Sequence, residues 1–372
     1  MKRCIFYLPY KLEEHGKGAR MMRPRKMIQA FREIGYDVFV IEGYSRARKR
    51  QIRQLKKCIR HGFQYEFMYA ESSTMPILLT DPHHLPLHPF VDFGFFRWMK
   101  KRGIPIGLFY CDIYWKFDSY GEALPGWKRF FSLKCYVYDI RQYVKLLDRF
   151  YIPSGKLLDY LASEALSERS VLLPPGAEEL RIRRDASRIR DFSVNPLHVF
   201  YVGGIGAHYQ IEALIRAVSR TENCVLTLCC REHEWQKEKI RFEKFLNERI
   251  QIVHRNGDEL EPYYDNADIG ALIFENGAYM NMAMPYKAFE YLGHEIPVIA
   301  TKDTAIGHFT EQNGTGWVIP YHEDAVCSLL NKILHRPEML GEKQKTCIET
   351  KKQNLWKCRA GMVEKTLSQM KE

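Results

Sequence analysis

Long apolar runs are missing from this chain. No window approaches the roughly 18 consecutive apolar residues that a membrane-spanning helix needs. The amino terminus, MKRCIFYLPY, sets positive charge before apolar residues as a secretory signal does, but the apolar stretch is short and Pro9 interrupts it. The reading there is a buried first strand. Ten cysteines are present without a C-x-x-C pair and without Cys/His spacing suited to zinc, and Cys229 and Cys230 are neighbours inside the apolar run VLTLCC. Reduced, mostly buried thiols in a cytosolic setting are the expectation. Internal repeats, low-complexity tracts and recognised RNA- or DNA-binding motifs are also lacking, which argues against a nucleic-acid partner.

What is present is ordinary globular material with an excess of positive charge. The 372 residues are 46% hydrophobic and 27% charged, enough for two cores, and the net charge is +11. That excess implies an anionic partner: phosphorylated substrate, acidic membrane surface or nucleic acid. The runs RARKRQIRQLKK (46–57) and RIRRDASRIRD (181–191) carry much of it and read as exposed helix faces or linkers.

Short apolar runs alternate with amphipathic stretches throughout. Strands are expected at 4–10, 36–43, 66–72, 106–113, 149–154 and 170–176, with helices at 23–35, 91–102 and 155–166. After a charged, poorly patterned stretch at 178–195, a second series begins. Its strands are 197–204, 224–230, 250–255, 268–274, 297–301 and 316–320, and its helices 210–220, 287–293 and 324–336. Such alternation predicts an α/β fold of two Rossmann-like, doubly wound parallel sheets with ligands beyond the carboxyl ends of the strands. The expected division is 1–180, 181–350, and a final helix 351–372 returning to the first domain.

The segment MPYKAFEYLGHEIPVIAT (284–301) carries the most specific chemistry. It reads as a helix opened by Pro285, with Lys287 in the first turn and Glu290 three residues later on the same face. Free N–H groups at such a helix start, joined by Lys287, suit a diphosphate. Glu290, one turn deeper, can accept from a ribose diol. Gly293 then ends the helix before the next buried strand.

These residues resemble the nucleotide-sugar glycosyltransferases of GT-B fold, above all the large retaining family (group 1, family 4-like). That family has Pro-x-Lys-x-x-Glu-Tyr, a Gly, and a Pro-Val-Ile strand, matched here by Pro285, Lys287, Glu290, Tyr291, Gly293 and Pro297–Ile299. The resemblance implies two Rossmann-like domains facing across a cleft, with Glu290 on the ribose hydroxyls and Lys287 near the phosphates. Pro285 and Tyr286 would flank them. It extends to VFYVGGIGAHYQIEALIRAV, whose Gly204 lies in the loop after the second domain's first strand. DELEPYYDNADIGALIF is similar to the stretch before the donor helix, SVLLPPGAEE to the end of the first domain, and HGKGAR to the glycine-bearing first loop. That loop would bring Gly16, Lys17, Gly18 and Arg20 toward the donor phosphates, with His15 beside them.

The sequence also departs from the family. Met282 stands where the retaining enzymes carry a second Glu, eight residues before the ribose Glu, and GGIGAHYQ lacks the usual Arg and Lys. Arg231, beyond strand 224–230, is the candidate substitute cation, and the anomeric outcome is left open. Arg255 and Asn256 end a strand near where the family holds the base, and His208 is a further candidate phosphate contact. In the first domain Asp112 ends a strand beside Tyr114 and Trp115. It is either the base of an inverting reaction, with the aromatics stacking on a sugar, or a capping Asp. A retaining reaction would instead rely on the leaving diphosphate and the cations around it. The loop DPHHLPLHP (81–89) holds Asp81, His83, His84 and His88, yet its prolines favour an irregular surface or acceptor-facing loop, and the resemblance implies no catalytic metal.

The expected activity is metal-independent transfer of a sugar from a UDP- or GDP-sugar to a glycan acceptor, lipid-linked or not, in cell-surface polysaccharide synthesis. The alternative is an inactive GT-B-like subunit that binds a partner. WKRFFSLKCYVYDIRQYVKLL (127–147) mixes cations with aromatics. It reads either as a core helix with basic outer positions or as a surface where Phe130, Phe131 and Leu133 touch an anionic membrane. A cytoplasmic protein, peripheral on the inner face of the membrane, would fit the second reading.

Overall fold

The computed structural model describes residues 1–13, 18–180, 191–206 and 209–370. Two compact units divide the chain: Met1–Pro174 with Trp356–Glu372, and Pro175–Leu355. Each is an α/β layer structure around a six-stranded sheet in which every pairing is parallel. Parallel strands carry helices on both faces, so their side chains are buried both ways and read as continuous apolar runs. Cys4, Ile5, Phe6 and Tyr7 are all fully buried for this reason.

The first unit contains β1 (Lys2–Tyr7), β2 (Tyr36–Ile41), β3 (Phe67–Glu71), β4 (Ile106–Phe109), β5 (Arg149–Ile152) and β6 (Ser170–Leu172). Their order is β2-β1-β3-β4-β5-β6, so the chain reverses direction across the sheet at β1/β3. In the second unit are β7 (Leu197–Val202), β8 (Cys224–Cys229), β9 (Ile250–Val253), β10 (Ile269–Leu272), β11 (Val298–Thr301) and β12 (Gly316–Ile319). Their order, β12-β11-β10-β7-β8-β9, is the dinucleotide-fold arrangement, and it reverses at β7/β10. Ligands bind such sheets outside the strands' carboxyl ends at the reversal.

Several expectations shift. The first strand ends at Tyr7 rather than residue 10, because Pro9 has no N–H for a ladder. The helix expected at 155–166 is two, Lys156–Leu161 and Glu164–Ser167, broken where Ala162 takes φ 47°. The basic run 46–57 lies in the helix Ser45–Arg60, and one of its cations is not solvated. Arg48 is fully buried, clamped on Asp92 through Nε (2.9 Å) and Nη2 (2.8 Å), while its Nη1 donates to the carbonyls of Pro9 and Gly43. The other basic run lies outside the described residues except for Asp191.

The units part at 174/175 and 355/356 rather than at 180/181 and 350/351. Ala177 N donates to Asn354 O at 2.7 Å, and a Cβ on Gly293 would lie 3.2 Å from Glu178 N, so residues after 174 pack on the second unit. Lys351, buried, pairs with Glu295 and holds the helix Glu338–Gln353 to that unit. The last helix, Trp356–Ser368, packs on the first unit against the helix Ala19–Glu33. Gly107 permits its close approach, since a Cβ there would meet the Tyr151 ring at 2.5 Å and Leu367 at 3.1 Å.

All ten cysteines are free thiols and none is exposed. No described helix is long and apolar enough to cross a membrane.

Candidate functional site

The helix Tyr286–Gly293 follows β10 and leads into β11, beside the β7/β10 reversal of the second unit. Pro285 is its N-cap residue, with φ −63° and ψ 132°, where its missing N–H costs nothing. Tyr291 bolts the helix to the sheet: fully buried, it donates to Phe200 O at 3.0 Å and accepts from Val202 N at 3.2 Å. Gly270 makes room for it, because a Cβ there would sit 2.6 Å from the Tyr291 ring. The residue before Tyr291 is thereby fixed at the carboxyl end of the sheet, half-buried. That residue is Glu290.

Glu290 Oε2 receives two contacts. Lys287 Nζ lies 2.5 Å away, one turn earlier, and Tyr264 OH donates at 2.9 Å. Tyr264 is itself buried and stacked on the His294 ring at 4.1 Å and 9°. Burial, reinforced by the Glu290 charge, pushes the Tyr264 phenol well above its ordinary value, so it stays a neutral donor. The result is a held carboxylate beside a cation at a helix start. Such a pair can accept from a diol and offer charge to a phosphate.

Two further expected cations stand at the carboxyl ends of β8 and β9. Arg255 is exposed just past β9, and its carbonyl accepts from Cys229 Sγ at 3.3 Å. Burial pushes the Cys229 thiol up, and the Lys287 and Arg255 charges oppose it. Asn256 turns inward to local structure: with Glu259 it forms the capping box of the turn Gly257–Leu260.

Gly204 lies in a tight turn after β7. Tyr201 OH donates to its carbonyl, and a Cβ would meet the Tyr209 ring at 2.9 Å. Arg231 begins the helix Glu232–Glu238, but its guanidinium is paired with Glu234 at 2.7 Å. Glu234 Oε2 in turn lies 3.4 Å from Ile205 N, in the same turn as Gly204. A carboxylate therefore occupies the position read from sequence as a phosphate-binding corner. Glu234 escaped that reading, although its i,i+3 spacing from Arg231 was visible in REHE.

In the first unit, Asp112 follows β4 and accepts from Tyr114 N at 2.8 Å, a local capping turn. Trp115 does not face a ligand. It is buried, donates to Tyr110 OH at 2.8 Å, and stacks on Tyr136 at 4.9 Å and 6°. Gly18 caps the helix Ala19–Glu33, and exposed Arg20 lies over the Tyr10 ring and donates to Ser73 Oγ at 3.2 Å. His15, Gly16, Lys17 and His208 lie outside the described residues. Asp81 is buried and accepts from Ser45 N at 2.7 Å, and His84 Nδ1 sits 2.9 Å from Leu79 O. This ties loop 81–89 into the fold. Among the described residues no group of three His, Cys, Asp or Glu side chains could hold a metal.

One cluster had no counterpart in the sequence reading. Arg23, buried, stacks 3.4 Å over the Phe109 ring and lies 3.3 Å from Glu71, whose carboxylate accepts from Tyr69 OH at 2.9 Å. Burial raises the Glu71 carboxyl despite Arg23. It also lowers the Arg359 guanidinium to about 10, with Arg23 adding to the effect. Positive charge thus gathers near the ends of β3 and β4.

Residues 196–336 match the family model of the glycosyl transferases group 1, a span that runs from β7 through the helix Glu323–His335 and includes Lys287 and Glu290. In fold the chain is similar to sucrose-phosphate synthase from Thermosynechococcus elongatus, at 14% identity and a TM-score of 0.65 over 99% of each chain. Anabaena HepE, solved in complex with UDP and glucose, is 12% identical with a TM-score of 0.62 over 98% of this chain and 99% of that one. WaaG, a glycosyltransferase involved in lipopolysaccharide biosynthesis, is 13% identical with a TM-score of 0.57 over 98% and 99%. No curated protein matches at the level of sequence. The architecture is GT-B: two Rossmann-like α/β units, the second carrying a group 1 glycosyltransferase match.

Proposed function

We propose that this protein is a glycosyltransferase that takes a sugar from a UDP- or GDP-sugar and passes it to a glycan acceptor, lipid-linked or free, in cell-surface polysaccharide synthesis. The observation that carries the reading is Glu290, held by Tyr264 and Lys287 at the start of the helix beside the β7/β10 reversal. Glu290 accepts from the ribose diol. Lys287 moves from Glu290 to the diphosphate and is joined there by the N–H groups of the helix start. A Lys stem is long enough for both positions, and its charge then opposes the charge building on the leaving group. Arg255 adds positive charge, Arg231 does so only when it leaves Glu234, and no resident metal is needed. Asp112 takes the acceptor proton if the reaction inverts; otherwise the departing diphosphate does. The neighbour solved with UDP and glucose supports a uridine donor.

A second reading, a partner-binding subunit without activity, is favoured by one observation: the Glu234 carboxylate reaches the turn after β7, where phosphate would need a cation. A thermal-shift panel of UDP, GDP, ADP and their sugar conjugates separates the two. At a hundred times its Kd, a ligand stabilises the native state by about 2.7 kcal/mol. One nucleotide should shift the wild type and leave Glu290→Ala unmoved. No shift with any nucleotide would favour the subunit reading.

A further inference from the structure

The helix Gly126–Leu146 changes character along its length. Its later turns bury Cys135, Tyr136, Asp139, Gln142, Tyr143 and Leu146 in the first unit. Its first two turns do not. Trp127 is 70% exposed and Phe130 63%, with Phe131 and, just before the helix, Leu124 also exposed. Large apolar side chains gathered on a surface mark an interaction site. Cations are interleaved with them: Lys128 Nζ lies over the Trp127 ring and Lys134 Nζ over the Phe130 ring. Asp139, the helix's one carboxylate, is buried, so it does not neutralise this face.

More apolar surface lies at the same end. The helix Val91–Lys100 runs alongside in the same direction, with Phe93 against Tyr138 and Arg97 donating to Gln142 at 3.0 Å. Its own start therefore lies beside the middle of the longer helix, on the same carboxyl edge of the sheet, and there Phe90 is 77% exposed, with Leu85 and Leu87 exposed in the loop before it.

The place of this tip in the fold is fixed by topology. β4 and β5 are parallel neighbours, so the helix joining them runs antiparallel to both and starts at their carboxyl edge. Tyr136 OH reaches Thr74 O, three residues past β3, at 2.5 Å, in keeping with that direction. The segment after Asp112 is bonded to the tip: Tyr120 OH donates to Ser132 Oγ at 2.9 Å and Arg129 to Asp118 O at 3.1 Å.

We propose that this tip is a docking surface for an anionic lipid bilayer, with Trp127, Phe130 and Phe131 entering the interface and Lys128 and Lys134 meeting the headgroups. Aromatic rings and long cationic stems are the side chains that suit that boundary. A second copy of this chain fits less well, because a two-fold contact would set the same cations against each other. Docking brings the carboxyl edge that carries Asp112 to the membrane surface, where a lipid-linked acceptor lies. Only that last consequence rests on the proposed transfer reaction.

The test is flotation of the full chain with phosphatidylcholine vesicles, with and without phosphatidylglycerol, at low and high salt. Wild type should float with the anionic vesicles and far less with the neutral ones. Trp127→Ser/Phe130→Ser/Phe131→Ser should weaken binding at least about tenfold, and Lys128→Gln/Lys134→Gln should erase the preference for anionic lipid. Both variants should keep the wild-type melting temperature, because the altered side chains are exposed. Both should also keep any nucleotide-induced thermal shift, so failure of docking and failure of the donor reading remain distinct. Absence of wild-type flotation at low salt would overturn the proposal. So would undiminished flotation of the aromatic variant, or a wild-type dimer that the aromatic variant converts to monomer.

Discussion

At the residue scale, two carboxylates stand in opposite surroundings. Glu290 is held by a neutral Tyr264 donor and by Lys287, and in the proposed reaction it meets the ribose. Glu234 neutralises Arg231 and sits against the turn that carries Gly204. If the diphosphate approaches that turn, Glu234 opposes it. Glu234→Gln keeps the shape and removes the charge. Donor KM should then fall by about two- to fivefold with kcat within twofold, a change of under 1 kcal/mol, as suits a half-exposed group. Steady-state kinetics at low and moderate salt check this, and an unchanged or raised KM would mean that the phosphates bind elsewhere. The Lys287–Glu290 pair was legible because i,i+3 residues share a helix face. The Tyr264 contact was not, since it joins residues 26 apart through folding of the sheet.

At the element scale, the apolar runs of the sequence mark the described strands because the central ones are buried on both faces, while the edge strands β6, β9 and β12 are only part-buried. Their ends are less legible: a run such as IGLFYCDI stays apolar after the ladder stops at Phe109. The helices Ala305–Asn313 and Glu338–Gln353 were not read at all, and the second is largely polar with an irregular apolar pattern. The site helix depends on one close approach. At Gly270 even a methyl group would drive Tyr291 off β7, and with it the hydrogen bonds to Phe200 and Val202. Gly270→Ala should cost about 1–3 kcal/mol of stability, as overpacking does. It should also weaken donor binding, because Glu290 moves with its neighbour. Melting curves with and without nucleotide would separate these effects. Lost stability with full donor affinity would show that Tyr291 does not position the site.

At the scale of the whole molecule, the two sheets share a class but not an order: reversal falls at β1/β3 in one and β7/β10 in the other. Alternating strands and helices announce parallel sheets in a sequence, but strand order depends on which distant runs pair and was not readable. The edges of the units depend on distant pairing for a related reason. Ala177 and Leu355, far apart in the chain, form one bridge on the second unit. The positive charge of the chain has local destinations as well: Arg48 serves the core, while Arg23 and Arg359 crowd the carboxyl edge of the first sheet.

In the proposed reaction Glu290 holds the ribose of a sugar donor during transfer. The most direct test is release of sugar from UDP- and GDP-sugars by the purified full chain, with Glu290→Ala beside it. The expected result is turnover of one donor by wild type and a loss of at least about a hundredfold in kcat/KM in the variant, some 2.7 kcal/mol of transition-state stabilisation. Wild-type turnover that survives Glu290→Ala undiminished would contradict the account.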